Sequence, residues 1–218
     1  MYNDRMPNNT YQIRICNSCG LRYPFISGHP FGTRCPLCNG ETRVVLKRLL
    51  VTEPIRNPNS VALHEKAMKR AVILDNIRSA WNVGSIFRSA DGFGFTHVYL
   101  CGITPTPENE AVSKTSLGAE DSVPWSYHKD AFKLANGLKK EGWKIFALEE
   151  DARASEIQHT AMTGPCDSAL VIGNEVTGVD PELLDLCDGI FYIPMRGEKK
   201  SFNVAVAFGI AAFALNEK

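Results

Sequence analysis

Three short segments of this sequence combine glycine with side chains that bind and orient small polar ligands. They are Asn82-Val83-Gly84-Ser85-Ile86-Phe87-Arg88, Gly173-Asn174-Glu175-Val176-Thr177-Gly178, and the stretch running from Ile193-Pro194-Met195-Arg196-Gly197 to Ser201-Phe202-Asn203. Glycine lets backbone approach a ligand, while amide, carboxylate, hydroxyl and guanidinium groups supply hydrogen bonds and charge. A fourth set of residues has the spacing of a metal site. Cys16-x-x-Cys19 and Cys35-x-x-Cys38 are separated by fifteen residues, the arrangement in which two thiolate pairs on two tight turns close a tetrahedral zinc site. Four thiolates leave no open position for a water, so the zinc expected at Cys16, Cys19, Cys35 and Cys38 is structural rather than hydrolytic, and His29 between the pairs reads as a loop residue. Cys101, Cys166 and Cys187 lie singly in apolar settings and read as small buried hydrophobes.

The elements that must position these groups follow from the apolar pattern. Ala71–Asn76, His97–Cys101, Trp143–Leu148, Ala169–Gly173 and Ile190–Met195 read as strands, and Val83–Asp91, Lys129–Glu141, Pro181–Cys187 and Phe202–Leu215 as helices. Strands that are apolar throughout and separated by helices predict an α/β fold with a parallel sheet covered on both faces. Ligands of such sheets sit beyond the carboxyl ends of the strands. The loops 76–84, 173–178 and 196–203 each follow an apolar strand, so all three segments fall where a ligand is expected.

Upstream, Tyr11–Ile15 and Thr42–Leu46 alternate like short strands, and Gly20 and Gly40 follow the two cysteine pairs, where a tight turn needs permissive backbone. So few apolar residues cannot hold about 40 residues folded without a staple, which a tetrathiolate zinc would supply. Residues 1–50 therefore read as a zinc ribbon. Residues 51–70 read as a linker, interrupted by Pro54 and Pro58, with a short helix capped by Ser60 and running to about Arg70; residues 71–218 form the α/β domain.

Composition narrows the function classes. The net charge of zero hides a split: residues 1–70 hold eleven Lys or Arg against four Asp or Glu, and residues 71–218 hold thirteen against twenty. The basic N-terminal part is the better candidate for a polyanion. No apolar run approaches the roughly 20 residues of a membrane span, and Met1–Arg5 leads into Pro and Asn rather than an apolar signal region, so cytoplasmic residence is the expectation and two disulfides are a poor alternative to zinc. There is no Gly-x-Gly-x-x-Gly after the first strand, no complete phosphate loop around Gly197–Ser201 and no Gly-x-Ser-x-Gly elbow.

Taken together, the segments resemble the three motifs of the SPOUT superfamily, in its branch of RNA 2′-O-ribose methyltransferases. Asn82, Gly84, Arg88 and Gly94 match the first motif; Gly173, Asn174, Glu175 and Gly178 the second; Ile193, Pro194, Met195, Gly197, Ser201 and Asn203 the third. Lys114–Ala119 resembles a family segment between the first two. The resemblance runs from Ala71 to the end of the sequence. It implies a C-terminal trefoil knot, a homodimer and an RNA substrate, transfer or ribosomal, with no membrane or DNA partner. It further implies that backbone groups of Leu148, Gly173, Ile193 and Met195, with Ser201 and Phe202, cradle S-adenosylmethionine. Arg88 would then stand at the ribose hydroxyl and its phosphate, with Asn82, Glu175, Ser201 and Asn203 fixing geometry. A guanidinium does not give up its proton, so deprotonation would fall to the phosphate, water or Glu175.

Plainer readings of single residues remain open. Arg88 also reads as a helix-surface charge, Glu175 as a cap for the helix near Pro181, and Ser201 as the N-cap of the closing helix. The ribbon could hold RNA through Arg14, Arg22, Arg34 and Arg43, with Tyr23 and Phe25 either stacking on bases or forming its small core. The alternative function is a knotted RNA-binding protein without catalysis, acting in ribosome assembly; the motif polar residues, all present, argue against it.

Overall fold

The computed structural model describes residues 10–26, 32–50, 68–157, 166–199 and 201–215. His29, the linker prolines and the short helix expected after Ser60 lie outside them. The chain divides into two compact units, Met1–His64 and Glu65–Lys218.

In the first unit β1 (Thr10–Cys16), β2 (Arg22–Ile26) and β3 (Thr42–Leu49) form an antiparallel sheet in the order β2-β1-β3. Alternation along β1 buries Thr10, Gln12, Arg14 and Cys16 on one face and leaves Tyr11, Ile13 and Ile15 half-buried on the other. Arg14 is therefore internal, not the RNA contact its type suggests. Its guanidinium donates to Gln12 Oε1 (2.7 Å) and Thr42 Oγ1 (2.8 Å) and lies 5.4 Å from the centre of the buried Phe25 ring. Phe25 is core rather than a stacking surface, and the Tyr23 hydroxyl donates to the Arg34 carbonyl at 3.0 Å. The two cysteine turns use glycine differently. Gly20 takes a left-handed φ of 76°, whereas at the second turn Asn39 does so (56°) and Gly40 packs close to Ser18, whose Oγ would lie 2.8 Å from a Cβ there and would have to turn aside.

The second unit runs β4 (Arg70–Asp75), α1 (Ala80–Gly92), β5 (His97–Cys101), α2 (Glu110–Ser116), α3 (Ala119–Ser122), β6 (Trp125–His128), α4 (Ala131–Lys140), β7 (Lys144–Leu148), β8 (Ser155–Glu156), β9 (Ser168–Ile172), α5 (Pro181–Leu186), β10 (Gly189–Tyr192) and α6 (Val204–Ala214). Its seven strands form one parallel sheet in the order β6-β5-β4-β9-β7-β10-β8. The α/β parallel-sheet expectation holds. Alternate residues of the central strands serve the two faces. Val72, Leu74, Leu170 and Ile172 pack with α1 and α6, while Ala71, Ile73, Ala169 and Val171 pack with α4 and α5. Four elements of this unit, α2, α3, β6 and β8, are absent from the sequence reading. β10 ends at Tyr192 rather than Met195, and α6 begins at Val204 rather than Phe202, so more residues separate the two elements than expected.

The chain enters the sheet at β4, builds outward through β5 and β6, then returns past β4 to β7, and β9 fills the place between. That reversal puts the carboxyl ends of β4, β9, β7 and β10 side by side, the geometry of a switch-point crevice.

Candidate active site

The crevice is built from the end of β4 outward. Asn76 follows the buried Asp75 with a left-handed φ of 58°, its side-chain Nδ2 donating to Asp75 Oδ1 (2.8 Å) and its Oδ1 accepting from Ile103 N–H (3.1 Å). Burial pushes the Asp75 carboxyl above its ordinary value. Asn174 ties the next loop to this point: its Nδ2 donates to the Asn76 carbonyl (2.7 Å), while its Oδ1 accepts from Val176 N–H (2.9 Å) and Thr177 N–H (3.2 Å) to fold residues 174–178 into a turn. Gly173 stands where this turn closes on the chain, and a Cβ there would lie 2.2 Å from the Val179 nitrogen. Gly84 serves packing rather than a ligand. A Cβ on it would meet the Val112 carbonyl of α2 at 2.5 Å.

Glu175 sits at the head of α1. Its Oε2 accepts from Arg78 N–H (2.9 Å), and its Oε1 from Ser79 N–H (3.1 Å) and Asn82 Nδ2 (3.0 Å). Burial pushes this carboxyl up, but the Arg78 and Ser79 N–H groups and the Asn82 amide outweigh it and hold Glu175 below its ordinary value. With both oxygens engaged it positions its neighbours and is not a free base. It also guards α1, whereas Asp180 caps the helix beginning at Pro181, accepting from Glu182 N–H at 2.8 Å. Asn203 completes the network. Its Nδ2 donates to Asn82 Oδ1 (3.1 Å), and its Oδ1 accepts from Ala205 N–H (3.0 Å) and Val206 N–H (3.4 Å) at the start of α6. The N-cap of α6 is thus Asn203, not Ser201. Asn82, Glu175 and Asn203 form one hydrogen-bonded chain joining the heads of two helices to the 173–178 loop.

Beside this chain lies a cleft of about 420 Å³, within the range of small-molecule sites. Leu148, Gly173, Ile193, Met195, Ser201 and Phe202, the six residues expected around the cofactor, all line it, as do Glu175 and Asn203. The sequence reading passed over Glu149 and Glu150, which line it too. Glu149 Oε2 accepts from Val179 N–H at 2.9 Å and so holds the far end of the glycine turn; a carboxylate directly after an apolar strand was the available signal. Among the described residues, every charged one that lines it is a carboxylate. Arg88 is not brought to this cleft. It is exposed on α1, six residues past Asn82, which at 100° per residue turns it away from the Asn82 side.

The four cysteines of the first unit converge. Cys16 Sγ and Cys38 Sγ are 3.5 Å apart, Cys19 Sγ and Cys35 Sγ 3.6 Å, and all four sulfurs lie within 4.8 Å of one another. These separations are too long for disulfides of about 2.05 Å and close to the ~3.8 Å edge of a tetrahedron with ~2.3 Å metal–sulfur bonds. Backbone N–H groups of Ser18 and Cys19 point at Cys16 Sγ (both 3.4 Å), and that of Leu37 at Cys35 Sγ (3.4 Å). The Cys19 N–H is foremost in drawing the Cys16 thiol down to about 6. Such donors favour thiolates, and the set could hold a metal. Cys101 and Cys187 are the reverse, pushed up to about 12 by burial.

Fold and site thus define a parallel-sheet α/β protein with an acidic ligand cleft at the strand ends. Residues 69–213 match the SpoU rRNA Methylase family, and the chain belongs to it. Among curated relatives it is 35% identical over 153 residues to the 23S rRNA (guanosine-2′-O-)-methyltransferase RlmB of Xanthomonas axonopodis pv. citri, a match covering 69% of this chain and 60% of that protein. It is 32% identical over 165 residues to the tRNA (guanosine(18)-2′-O)-methyltransferase of Thermus thermophilus, covering 74% of this chain and 81% of the relative. Its fold is similar to that of the solved TrmH/SpoU tRNA modifying enzyme of A. aeolicus, with a TM-score of 0.60, 26% identity, and coverage of 69% and 75% of the two chains. The chain spans about 60% of the length of its Xanthomonas relatives.

Proposed function

We propose that the second unit transfers the methyl group of S-adenosylmethionine to the 2′-hydroxyl of a ribose in transfer or ribosomal RNA. The observation that carries this reading is the cleft itself. It gathers the glycine turn together with Ile193, Met195, Ser201 and Phe202 around a space whose charged residues among those described, Glu149, Glu150 and Glu175, are all anionic. A phosphorylated cofactor would be repelled there, whereas the sulfonium and ammonium charges of S-adenosylmethionine are attracted. The names of the Xanthomonas and Thermus relatives support guanosine ribose as the class of acceptor.

In this reading the backbone at Leu148, Gly173, Ile193 and Met195, with Ser201 and Phe202, holds the donor, and Asn82, Glu175 and Asn203 fix the wall against which the ribose is placed. The ribose oxygen bonds to the methyl carbon as the carbon–sulfur bond breaks, and the hydroxyl proton passes to the adjacent phosphate or to water, since Glu175 has no free oxygen. Alignment rather than strong base chemistry carries the rate.

Arg88 enters through a second copy of the chain. Trp81 and Arg88, seven residues apart, lie on one stripe of α1. Trp81 is 61% exposed, and Val206 and Phe213 of α6, which packs beside α1, are 50% and 58% exposed. A homodimer closing over these apolar groups would remove them from water and carry Arg88 toward the other chain's cleft, to the phosphate beside the acceptor ribose. The return of the chain from β10 past β7 and β9, to seat α6 against α1, is in keeping with the trefoil knot that the family resemblance implies, in which this segment would also thread a loop of the chain. A structural zinc on Cys16, Cys19, Cys35 and Cys38 completes the account, and S-adenosylmethionine and RNA as reactants support a cytoplasmic location. Among the described residues no helix is long and apolar enough to cross a membrane.

The test is Arg88→Ala. Turnover should fall by at least about a hundredfold, as for loss of a charge-stabilising group, while calorimetric affinity for S-adenosylmethionine stays unchanged. Equal loss of both would overturn the assignment of Arg88.

A further inference from the structure

The two faces of the first unit's sheet differ in kind. One holds Gln12, Arg14, Cys16 and Phe25, all buried. On the other, cross-strand partners point the same way, so the register defines three rows. The middle row centres on Ile13, between Pro24 and Leu46. The row at one end places Ile15 between Arg22 and Arg43; at the other, Tyr11 lies between Ile26 and Arg48. Three of the four corners of this face are therefore arginines, all exposed, around an apolar middle. None of the three guanidinium groups makes an ion pair or hydrogen bond with a described residue, and no carboxylate occupies these rows. The outer strands are about 10 Å apart, so the arginines flank a flat strip on which the Tyr11 ring and aliphatic side chains are presented.

We propose that this face is a docking platform for single-stranded RNA, with phosphates at Arg22, Arg43 and Arg48 and bases against Tyr11 and its aliphatic neighbours. The proposal rests on the reading that RNA is the substrate. The choice of occupant follows from charge and shape. Cations of one sign without acidic partners among the described residues suit a polyanion, and a flat apolar strip between them suits unpaired bases, whose faces a duplex would hide. The platform differs from the sequence expectation in three arginines: Arg14 is removed to the core, Arg34 lies before β3 and outside these rows, and Arg48 is added because β3 continues past Leu46.

The experiment uses the full chain and three labelled probes: a single-stranded oligouridylate, an RNA hairpin duplex and total transfer RNA. Affinity is measured across a salt series for the wild type, the triple variant Arg22→Ala/Arg43→Ala/Arg48→Ala, the matching triple Arg→Lys variant, and Lys133→Ala/Lys140→Ala on α4 as a control for loss of exposed positive charge elsewhere. Three phosphate contacts contribute about 0.7 each to the single-strand salt slope. The alanine variant should therefore lose about 2 from that slope, so that raising salt from about 50 to about 200 mM costs it about 20-fold less affinity than it costs the wild type. The lysine variant should keep the slope, the α4 control should match the wild type, and metal content should be the same throughout. An unchanged slope in the alanine variant overturns the proposal, and altered sedimentation with that unchanged slope would mark the face as a protein contact instead. Equal loss of slope on the duplex overturns the single-strand assignment. Methyl transfer assayed in parallel separates the two readings. A reduced slope in a protein that methylates no RNA keeps the platform and removes the catalytic reading, whereas unchanged slope and KM with active wild-type methylation does the reverse.

Discussion

Replacing Gly173 by alanine tests the cleft at its tightest point. The added Cβ would lie 2.2 Å from the Val179 nitrogen and 2.3 Å from the Gly178 carbonyl carbon, where ordinary contact begins at 3.4 Å. Both are backbone atoms, so no side chain can swing aside, and the turn must retreat by about 1.2 Å from the end of β9. The retreat also pulls Val179 N–H from Glu149, a bond of 2.9 Å. Overpacking of this kind costs about 1–3 kcal/mol, and at about 2–4 °C per kcal/mol for a chain of this size the melting temperature should drop by about 2–12 °C. The functional effect should be larger, because the same turn forms a wall of the cleft. A displacement of about 1 Å can cost about a hundredfold in rate, and affinity for S-adenosylmethionine should weaken by at least about tenfold, or 1.4 kcal/mol. Gly137→Ala on α4 is the control, since a Cβ there meets nothing within 4 Å, and it should leave donor affinity at the wild-type value without lowering the melting temperature. Differential scanning calorimetry and isothermal titration of the donor read the two effects. Wild-type donor affinity in Gly173→Ala would refute the placement of the ligand against this turn.

Glu175→Gln should destabilise the junction of α1 with the 173–178 loop in a pH-dependent way. The folded carboxyl sits below its ordinary value of 4.5, so its contribution is fully present above about pH 4.5 and lost as pH falls through the lowered value. The stability gap between wild type and variant should therefore be constant at neutral pH and close in acid; a gap that widens in acid would contradict the assignment. Purified protein should carry one zinc per chain by mass spectrometry, with Cys38→Ser losing it and exposing residues 10–50 to proteolysis; a metal-free, protease-resistant chain would exclude the zinc. Trp81→Glu combined with Phe213→Glu should turn a dimer into a monomer in sedimentation velocity, and an unaltered mass would move the interface elsewhere.

The parts of this molecule that were legible in the sequence are those governed by pattern. Apolar runs such as Ala71–Leu74 and Ala169–Ile172 marked the central strands because burial on both faces leaves no room for polar alternation. The cysteine spacing marked four sulfurs that do meet. Short elements were missed where no pattern exists. β6 is four residues, Trp125–His128, with none buried, and α3 is a single turn. The site residues were found largely through family resemblance, but their roles depend on three-dimensional partners that spacing cannot supply. Ser201 and Asn203 are equally good capping types, and the choice fell to Asn203 because Ser201 and Phe202 are held in the cleft lining rather than wound into α6. Glu175 is 93 residues from Asn82, yet bonded to it at 3.0 Å. Arg14 carries the same charge as its neighbours Arg22 and Arg43, and only the strand's alternation, with Gln12 and Thr42 as partners, places it inside.

The most direct measurement is to supply the protein with S-adenosylmethionine labelled in its methyl group and unmodified total RNA, digest the RNA to nucleosides, and locate the label by mass spectrometry. The account predicts label on the 2′-oxygen of one nucleoside, guanosine by the kinship with the relatives above, and its loss in Gly173→Ala and Arg88→Ala. Label on a base, or no label from a protein that binds the donor and every RNA fraction offered, would contradict it.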